Sequence, residues 1–352
     1  MGRRPWWVSS TLVKIGLVLG GGGLIGMGYH AGALEALDGW GVDVAAADVI
    51  VGTSAGAIMG SYLVAGWTPA DFVDYANGRH PDVIKENGSS SQLSPFVPLW
   101  SNPIQRVGRS IGSMFAVASS RGYVNRFARG HVPGARLRHA FPSGLYSTSE
   151  TRLRLEEDLP QAWPAREIFI CTADLYTGER VAFGYPGSPD APFPHAVLAS
   201  TAIPGLFPPV KIGDRQYVDG GIVSATSLDL AVDAGCEAII CVAPLGYRNE
   251  GGIAEPKLWG PMLMRSLFAR TLKREVVDAR RRDVPVLVIR PWATDLAELG
   301  TNSMRNDFDR AAIVELSRRS TVRLLEQESD HPALQAALDQ ASETRSKSSS
   351  LQ

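Results

Sequence analysis

The sequence predicts an α/β protein in which helices cover both faces of a mainly parallel central sheet. Short apolar runs, bounded by glycine or proline, alternate with segments whose apolar residues recur at helical spacing. Apolar residues make up 45% of the 352 positions, enough for one large core. We therefore expect one domain over 14–330, with an N-terminal extension at 1–13 and a polar, partly disordered tail at 331–352.

The first elements follow the order strand, loop, helix, strand and helix. "KIGLVLG" (14–20) predicts a buried strand, and the helix after it ends at Gly39 and Gly41. "ADVIVG" (47–52) predicts the next strand, and "SAGAIMGSYLVAG" the helix after it. Further strands are predicted at 167–174, 180–184, 208–213, 216–221, 237–244 and 284–291, and further helices at 227–235, 256–283 and about 303–326.

Residues 87–149 interrupt this pattern and are predicted to be an inserted cap over the cleft. The segment contains aromatic residues and no acid. Its arginines are Arg106, Arg109, Arg121, Arg126, Arg129, Arg136 and Arg138. Such a composition favours contact with an anionic membrane surface. Alternatively, some of these arginines pair with acids elsewhere, since the rest of the chain carries a net charge of −8.

Gly52, Thr53, Ser54, Ala55 and Gly56 fit the G-x-S-x-G pattern between a predicted strand and a predicted helix. In that context the pattern indicates a tight turn that exposes a nucleophilic hydroxyl, with the helix N-terminus directed at developing negative charge. The alternative is a glycine-rich turn whose serine only caps the helix.

A second glycine-rich turn, "GGGGLIG" (20–26), also joins a strand to a helix. Consecutive glycines let several N–H groups converge, as the oxyanion of acyl transfer requires. The same letters fit the dinucleotide pattern G-x-G-x-x-G, but that pattern expects an acid at the end of the second strand. This strand ends in "VGTSAG", which disfavours dinucleotide binding.

Two residue types could take the proton of Ser54. Of the six histidines, only His331 follows every plausible acid, as a serine, acid, histidine order requires, and it lies near the end of the chain. Asp219 in "YVDGG" ends a predicted strand, and we expect it at the carboxyl edge of the sheet, where α/β sites assemble. A carboxylate in a dry cleft can act directly as a base, although a lone D-G-G is more often an ordinary turn.

Taken together, the three motifs resemble the patatin-like phospholipase family over roughly 14–245. "HAGALEAL" and "ASTAIPGLFPPV" (199–210) add to the resemblance. It implies a three-layer α/β/α sandwich that hydrolyses lipid acyl esters in the manner of a phospholipase A, through an acyl-enzyme and without cofactor or metal. The implied site residues are the nucleophile Ser54, the base Asp219, the oxyanion donors Gly21, Gly22 and Gly23, and the motif glycines Gly26, Gly52, Gly56, Gly220 and Gly221.

The chain departs from the family pattern at two places. Ile25 stands where the family usually has Arg or Lys, and "IVSATS" stands where an asparagine often follows D-G-G. Two other activities stay open, namely acyl transfer to an acceptor other than water, and lipid binding without catalysis.

Composition excludes several other classes. A net charge of −1 gives no reason to expect a nucleic-acid partner. Cys171, Cys236 and Cys241 lie in apolar runs without metal-ligand spacing, so we expect buried free thiols. The absence of a long apolar stretch and of a signal cleavage site predicts a cytoplasmic protein. The arginines of 87–149 predict that it is peripheral at the membrane.

Overall fold

A computed structural model of the chain describes residues 13–80, 97–98, 144–248, 259–299 and 309–349. The strands in this part of the chain are β1 (Ile15–Leu19), β2 (Val49–Thr53), β3 (Val97–Pro98), β4 (Tyr146–Ser147), β5 (Glu167–Asp174), β6 (Arg180–Phe183), β7 (Val210–Ile212), β8 (Arg215–Asp219), β9 (Ala238–Val242) and β10 (Val286–Ile289). The helices are α1 (Gly23–Trp40), α2 (Ala55–Val64), α3 (Pro69–Ala76), α4 (Ser149–Asp158), α5 (Phe193–Ser200), α6 (Asp229–Asp233), α7 (Trp259–Arg280), α8 (Leu296–Leu299), α9 (Arg310–Gln327) and α10 (Pro332–Ser349).

The central sheet has the order β10-β9-β1-β2-β5-β8-β7, with β6 also paired to β5. From β10 to β5 the neighbouring strands are parallel. Strands β6 and β8 run antiparallel to β5, and β7 runs antiparallel to β8. The predicted mainly parallel sheet is therefore confirmed, with an antiparallel extension at one side.

Side chains of the central strands alternate between two apolar layers. Leu17 and Leu19 of β1 belong to a core shared with α1, α2 and α9, whereas Val18 packs in a second core with α6 and α7. Each layer removes one face of the sheet from water, so the strands are buried on both sides. The result is the predicted three-layer α/β/α arrangement.

Helix α9 packs directly on α1 because glycines let the two backbones approach. A Cβ on Gly32 would lie 2.1 Å from the carbonyl oxygen of Val314, and a Cβ on Gly28 would lie 3.0 Å from Ile313. The Ser317 hydroxyl also donates to the Tyr29 carbonyl at 2.6 Å. These contacts fix the start of α1, and with it the glycine turn that precedes the helix.

The chain order places a cleft at the end of β1. Strand β1 has β2 as its neighbour on one side. Its neighbour on the other side is β9, which is distant in the sequence. In open α/β sheets, ligands bind at the carboxyl ends of the strands where the strand order changes in this way. The loops after β1 and β2, which carry the two glycine-rich motifs, therefore meet at that edge.

The expectation of a partly disordered tail at 331–352 is wrong for most of that segment, because Pro332–Ser349 forms α10. Its Ala and Leu residues recur on one face and are buried against the core, namely Ala333, Leu334, Ala337 and Ala341. Gln340 adds a hydrogen bond of 2.9 Å to Asp48. Polar residues on the outer face of the helix hid this apolar stripe in the sequence.

Most of the predicted insertion, including all seven of its arginines, lies outside the described residues. At its ends, β3 pairs antiparallel with β4, so that Val97 faces Ser147 and Pro98 faces Tyr146. The predicted strands and helices outside the insertion are confirmed to within a few residues at their ends wherever the structure describes them. The three cysteines are buried free thiols, as predicted. Among the described residues, no helix is both long and apolar enough to span a bilayer.

Candidate active site

Ser54 occupies a strained turn between β2 and α2. Its φ of 54° and ψ of −118° lie in a region that L-residues rarely adopt. The flanking glycines allow the turn, because a Cβ on Gly52 would lie 2.6 Å from the Ala57 Cα and one on Gly56 would lie 1.9 Å from the Leu19 carbonyl oxygen. The G-x-S-x-G spacing thus reflects close backbone packing around the serine.

A hydrogen-bond chain from the neighbouring strand holds this turn in place. The Ser54 N–H donates to the Ser200 hydroxyl oxygen at 2.9 Å, and that hydroxyl donates to the Cys171 carbonyl of β5 at 2.6 Å. The backbone N–H of the serine is therefore satisfied away from the cleft. Its hydroxyl is left to interact with the side chain that faces it, Asp219.

Asp219 ends β8, and the register of the sheet brings it to Ser54. Thr53 of β2 is level with Cys171 of β5, and Asp219 is level with Thr172, the next residue of β5. We expected the carboxylate at the carboxyl edge of a parallel strand, but β8 is antiparallel to β5. It enters the sheet from the carboxyl edge and overlaps only the last residues of β5, so its own last residue stays near that edge.

The Asp219 carboxylate is almost completely removed from water, with 5% of the residue exposed, and Ser54 is 6% exposed. Burial raises the pKa of Asp219 to about 6, while hydrogen bonds from the Ser54 hydroxyl and the Gly221 N–H oppose the rise. The Gly221 bond is 2.7 Å long. The carboxylate is therefore mostly ionised at neutral pH, and its basicity is higher than that of an exposed aspartate.

The glycine turn after β1 lies against the serine. A Cβ on Gly21 would be 3.5 Å from the Ser54 Cβ, and Gly23 has a φ of 59°. The Gly21 N–H, however, donates to the Ala225 carbonyl at 2.8 Å. This bond occupies the N–H of one of the three predicted oxyanion donors. Of the predicted set, Gly22 and Gly23 therefore remain as candidates for binding an oxyanion.

The remaining motif glycines are explained by close contacts. A Cβ on Gly22 would lie 2.5 Å from the Gly26 Cα, which ties these two positions together. A Cβ on Gly220 would lie 2.5 Å from the Cys171 carbonyl oxygen, and one on Gly221 would lie 3.0 Å from the Asp219 carboxylate. Larger residues at these places would displace the turns that carry the serine and the aspartate.

His30 is a residue of this region that the sequence did not single out. Its Nε2 lies 2.7 Å from the Gly20 carbonyl oxygen, and its buried Nδ1 has no hydrogen-bond partner among the residues that the structure describes. Burial lowers the pKa of His30 to about 4, although the hydrogen bond to Gly20 opposes this. The ring is thus neutral and holds the glycine turn through its contact with the Gly20 carbonyl. Its only sequence signal was its place in "HAGALEAL".

The other described histidines make their contacts elsewhere. His195 lies 2.8 Å from the Glu156 carboxylate, and His80 stacks on Trp67. His331 precedes α10, where its Nδ1 accepts from the Ala333 N–H at 3.2 Å. His131 and His139 lie outside the described residues. The carboxylate whose pKa the Ser54 hydroxyl influences is that of Asp219.

An apolar cavity of about 200 Å³ lies among α1, α2, α3 and α4. It begins close to the turns described above, since Leu24 directly follows Gly23 and Ile58 lies one helical turn after Ser54. Its apolar lining includes Leu24, Met27, Ala31, Ile58, Met59 and Phe72. Arg154, Arg310 and Glu150 also border it. The lining of this cavity is therefore mainly apolar, and it starts within one helical turn of the serine.

Ile25, which stands where the family usually has a cation, is buried in the first turn of α1 and joins the apolar core. An Arg or Lys side chain at this buried position would need an acidic or hydrogen-bonding partner, because an unpaired buried charge is costly. In this chain the glycine turn is supported instead by the backbone bonds of Gly20 and Gly21 and by His30.

The layered fold and its two glycine turns are those of the patatin-like class. The patatin-like phospholipase family model matches residues 17–232, more than half of the chain, and the chain therefore belongs to that family. The family is described as one of phospholipases, which hydrolyse acyl esters of lipids. The matched residues run from β1 to α6 and include the serine, the aspartate and both glycine turns.

Two uncharacterized NTE family proteins, from Mycobacterium tuberculosis and Mycobacterium bovis, are each 27% identical to this chain over 261 residues. The alignment covers 73% of this chain and 35% of each relative, so the chain spans about a third of their length. Among solved structures, VipD from Legionella pneumophila is similar with a TM-score of 0.41 and 15% identity, over 91% of this chain and 68% of that one. ExoU in its complex with SpcU from Pseudomonas aeruginosa is similar with a TM-score of 0.34 and 17% identity, over 90% of this chain and 51% of that one.

Proposed function

We propose that this chain hydrolyses lipid acyl esters with a Ser54–Asp219 dyad. The observation that carries the proposal is the strained strand-to-helix turn that holds Ser54 beside the buried Asp219 carboxylate, close enough for its hydroxyl to lower the pKa of that carboxyl. A serine that only capped a helix would not need a positive φ or a buried carboxylate beside its hydroxyl.

The first half of the reaction forms an acyl-enzyme. Asp219 accepts the Ser54 proton while the hydroxyl oxygen attacks the ester carbonyl carbon, whose oxygen becomes negative. The N–H groups of Gly22 and Gly23 and the N-terminal end of α2 stabilise that oxyanion. When the carbonyl reforms, the C–O bond to the alcohol breaks, and the alcohol leaves with the proton held by Asp219.

The second half returns the enzyme to its starting state. Asp219 accepts a proton from water, and the hydroxide formed attacks the acyl carbon of the Ser54 ester. Collapse of this second tetrahedral intermediate breaks the bond to the Ser54 oxygen, which takes its proton back from Asp219. The fatty acid is released, and every step uses groups of this chain and water alone.

The test is Ser54→Ala, measured on p-nitrophenyl acyl esters and by labelling with a fluorophosphonate. We expect labelling of the wild-type chain alone and a loss of activity of roughly 10⁴ to 10⁶-fold in the variant. A folded Ser54→Ala protein that kept more than a few per cent of activity would rule out the dyad. Labelling without ester hydrolysis would instead favour acyl transfer to another acceptor, and the absence of both would favour lipid binding without catalysis.

We further propose that the cavity beside α1 and α2 holds the acyl chain of the substrate. Its apolar lining starts one turn from Ser54 and next to Gly23, where the ester carbonyl would sit. Ile58→Trp would fill space near its start, so we expect a larger drop in kcat/KM for dodecanoyl than for butyryl esters. Val277→Trp, on the exposed face of α7, is the matched control. Equal losses of kcat/KM for both ester lengths would mean that the acyl chain of the substrate does not bind in this cavity.

A further inference from the structure

Glu275 of α7 binds the loop that follows the D-G-G turn. Its carboxylate accepts hydrogen bonds from the Ser224 hydroxyl at 2.5 Å, the Thr226 hydroxyl at 2.5 Å and the Leu228 N–H at 3.3 Å. Burial raises the pKa of Glu275, and the two hydroxyl donors oppose that rise. Glu275, from a helix distant in sequence, is thus buried against the loop 224–228 and accepts three hydrogen bonds from it.

That loop contacts both halves of the proposed site. On one side, the N–H groups of Val223 and Ser224 donate to the Gly220 carbonyl, directly after Asp219, at 2.9 and 3.1 Å. On the other side, the Ala225 carbonyl accepts from the Gly21 N–H at 2.8 Å. The loop therefore connects the base to the glycine turn.

The packing between the loop and the glycine turn leaves little freedom. A Cβ on Gly20 would lie 3.2 Å from both the Ala225 carbonyl oxygen and the Thr226 Cγ2. The Ser224 hydroxyl oxygen also accepts from the Ser227 N–H at 3.0 Å, which closes the loop on itself. A shift of Ser224 or Thr226 would therefore be passed to Gly20 and Gly21.

This arrangement accounts for the departure from the family pattern after D-G-G. Where an asparagine often follows in the family, this chain has the hydroxyls of Ser224 and Thr226, and both donate to Glu275. In this chain the loop is therefore held by a carboxylate from α7.

We propose that Glu275 is a positioning residue of the reaction. Through Ser224 and Thr226 it fixes the Ala225 carbonyl, which holds Gly21 beside Ser54 and so directs the N–H groups of Gly22 and Gly23 at the oxyanion. The inference rests on the proposed function of the site. Because an error of about 1 Å at a reacting centre costs on the order of a hundredfold in rate, loss of this hold should be visible in kcat.

The experiment compares Glu275→Ala and Glu275→Gln with the wild-type chain on p-nitrophenyl butyrate. We expect kcat to fall roughly tenfold to a hundredfold in Glu275→Ala, with KM within about twofold, because the oxyanion donors are displaced while the groups that bind the substrate stay in place. Glu275→Gln should lose less, since its amide oxygen still accepts one hydroxyl bond. The pH midpoint of kcat/KM should not move in either variant, because Asp219 stays the base.

Asp278→Asn is the matched control, an exposed acid on the same helix that pairs with Arg281 at 3.0 Å. It should leave kcat unchanged. A folded Glu275→Ala chain with wild-type kcat, or one in which only KM rises, would overturn the inference. If Glu275→Ala does not fold, an unchanged kcat in folded Glu275→Gln would overturn it.

Failure of the proposed function would look different. In that case Ser54→Ala and Asp219→Asn would keep the wild-type rate, whatever the Glu275 variants do. The inference about Glu275 is contradicted only when the two dyad variants are inactive and the Glu275→Ala variant, or Glu275→Gln if Glu275→Ala does not fold, keeps the wild-type kcat.

Discussion

The proposed mechanism requires Asp219 to act as a base although the residue is almost completely buried. Burial raises its pKa to about 6, and the Ser54 and Gly221 hydrogen bonds limit the rise. A general base is most effective when its pKa lies just below the working pH, and this value is close to that condition. In the proposed mechanism the carboxylate therefore needs no histidine between it and the serine.

The pH dependence of the reaction follows from this value. Because the base is the ionised form, kcat/KM for a p-nitrophenyl ester should fall as the pH drops through about 6, with a single proton taken up. Rates measured between pH 4.5 and 8.5 would show the midpoint. An activity that stayed constant down to pH 5 would mean that Asp219 is not the group that titrates.

Asp219→Asn should inactivate the chain and also stabilise it at neutral pH. The pKa rises from an ordinary value of 3.8 to about 6 on folding, so stability contributed by Asp219 is lost as the pH rises through that window. Asparagine does not ionise, and its gain should approach about 3 kcal/mol above pH 7 and fade below pH 4.

Urea unfolding at pH 4, 6 and 8 measures this gain, with Asp339→Asn on the outer face of α10 as the control. A gain that did not change with pH would show that ionisation of Asp219 is not what the variant relieves.

At the scale of elements, local sequence patterns predicted the glycine turns. The direction of β8 and the contact made by Glu275 depend on tertiary pairing, which local patterns do not show. The turns around Ser54 and Gly21 are set by glycine spacing, which the sequence displays directly. The direction of β8 is set by its partner β5, and a five-residue strand carries no sign of it. Glu275 lies about fifty residues from the loop it binds, in a helix that reads as charged and amphipathic. No local signal marks such an acid.

The packing of α10 on the core predicts that its buried residues contribute to the stability of the fold. Leu334 is completely buried, so Leu334→Ala should destabilise the fold by about 2 to 5 kcal/mol, whereas Asp339→Ala on the exposed face should change little. Thermal unfolding of the two variants measures the difference. Equal melting temperatures would mean that α10 does not pack on the core.

The same helix corrects an expectation about truncation. Because the sequence predicts a polar, partly disordered tail at 331–352, it also predicts that deletion from about residue 330, or His331→Ala, leaves most of the activity. With α10 packed on the core, the deletion should instead unfold or weaken the domain. We still expect His331→Ala to keep most of its activity, because His331 bonds the backbone of α10 and Asp219 is the residue that faces Ser54.

At the scale of the whole molecule, the fold brings residues from distant parts of the chain to one edge of the sheet. Glycine turns after β1 and β2, the end of β8 and the loop before α6 all meet there. The parallel half of the sheet follows from the alternation of strands and helices. The antiparallel extension, which delivers Asp219, depends on pairings between residues that are far apart, and these could not be predicted from the sequence alone.

Charge is also unevenly distributed over the chain, with seven arginines and no acid in 87–149. We propose that this segment contacts an anionic membrane surface, where each arginine contributes up to about 1 kcal/mol. Replacing all seven with glutamine should therefore weaken binding to phosphatidylglycerol vesicles by at least a hundredfold, while hydrolysis of a soluble ester persists.

Wild-type binding should weaken with added salt, since the Debye length is only about 8 to 10 Å near physiological ionic strength. Co-sedimentation with phosphatidylglycerol and phosphatidylcholine vesicles, at low and high salt, measures both effects. If the arginines instead pair with acids of the fold, the glutamine variant should have a lower melting temperature. The wild-type chain should then bind both vesicle types equally, without a salt dependence, and the membrane proposal would be wrong.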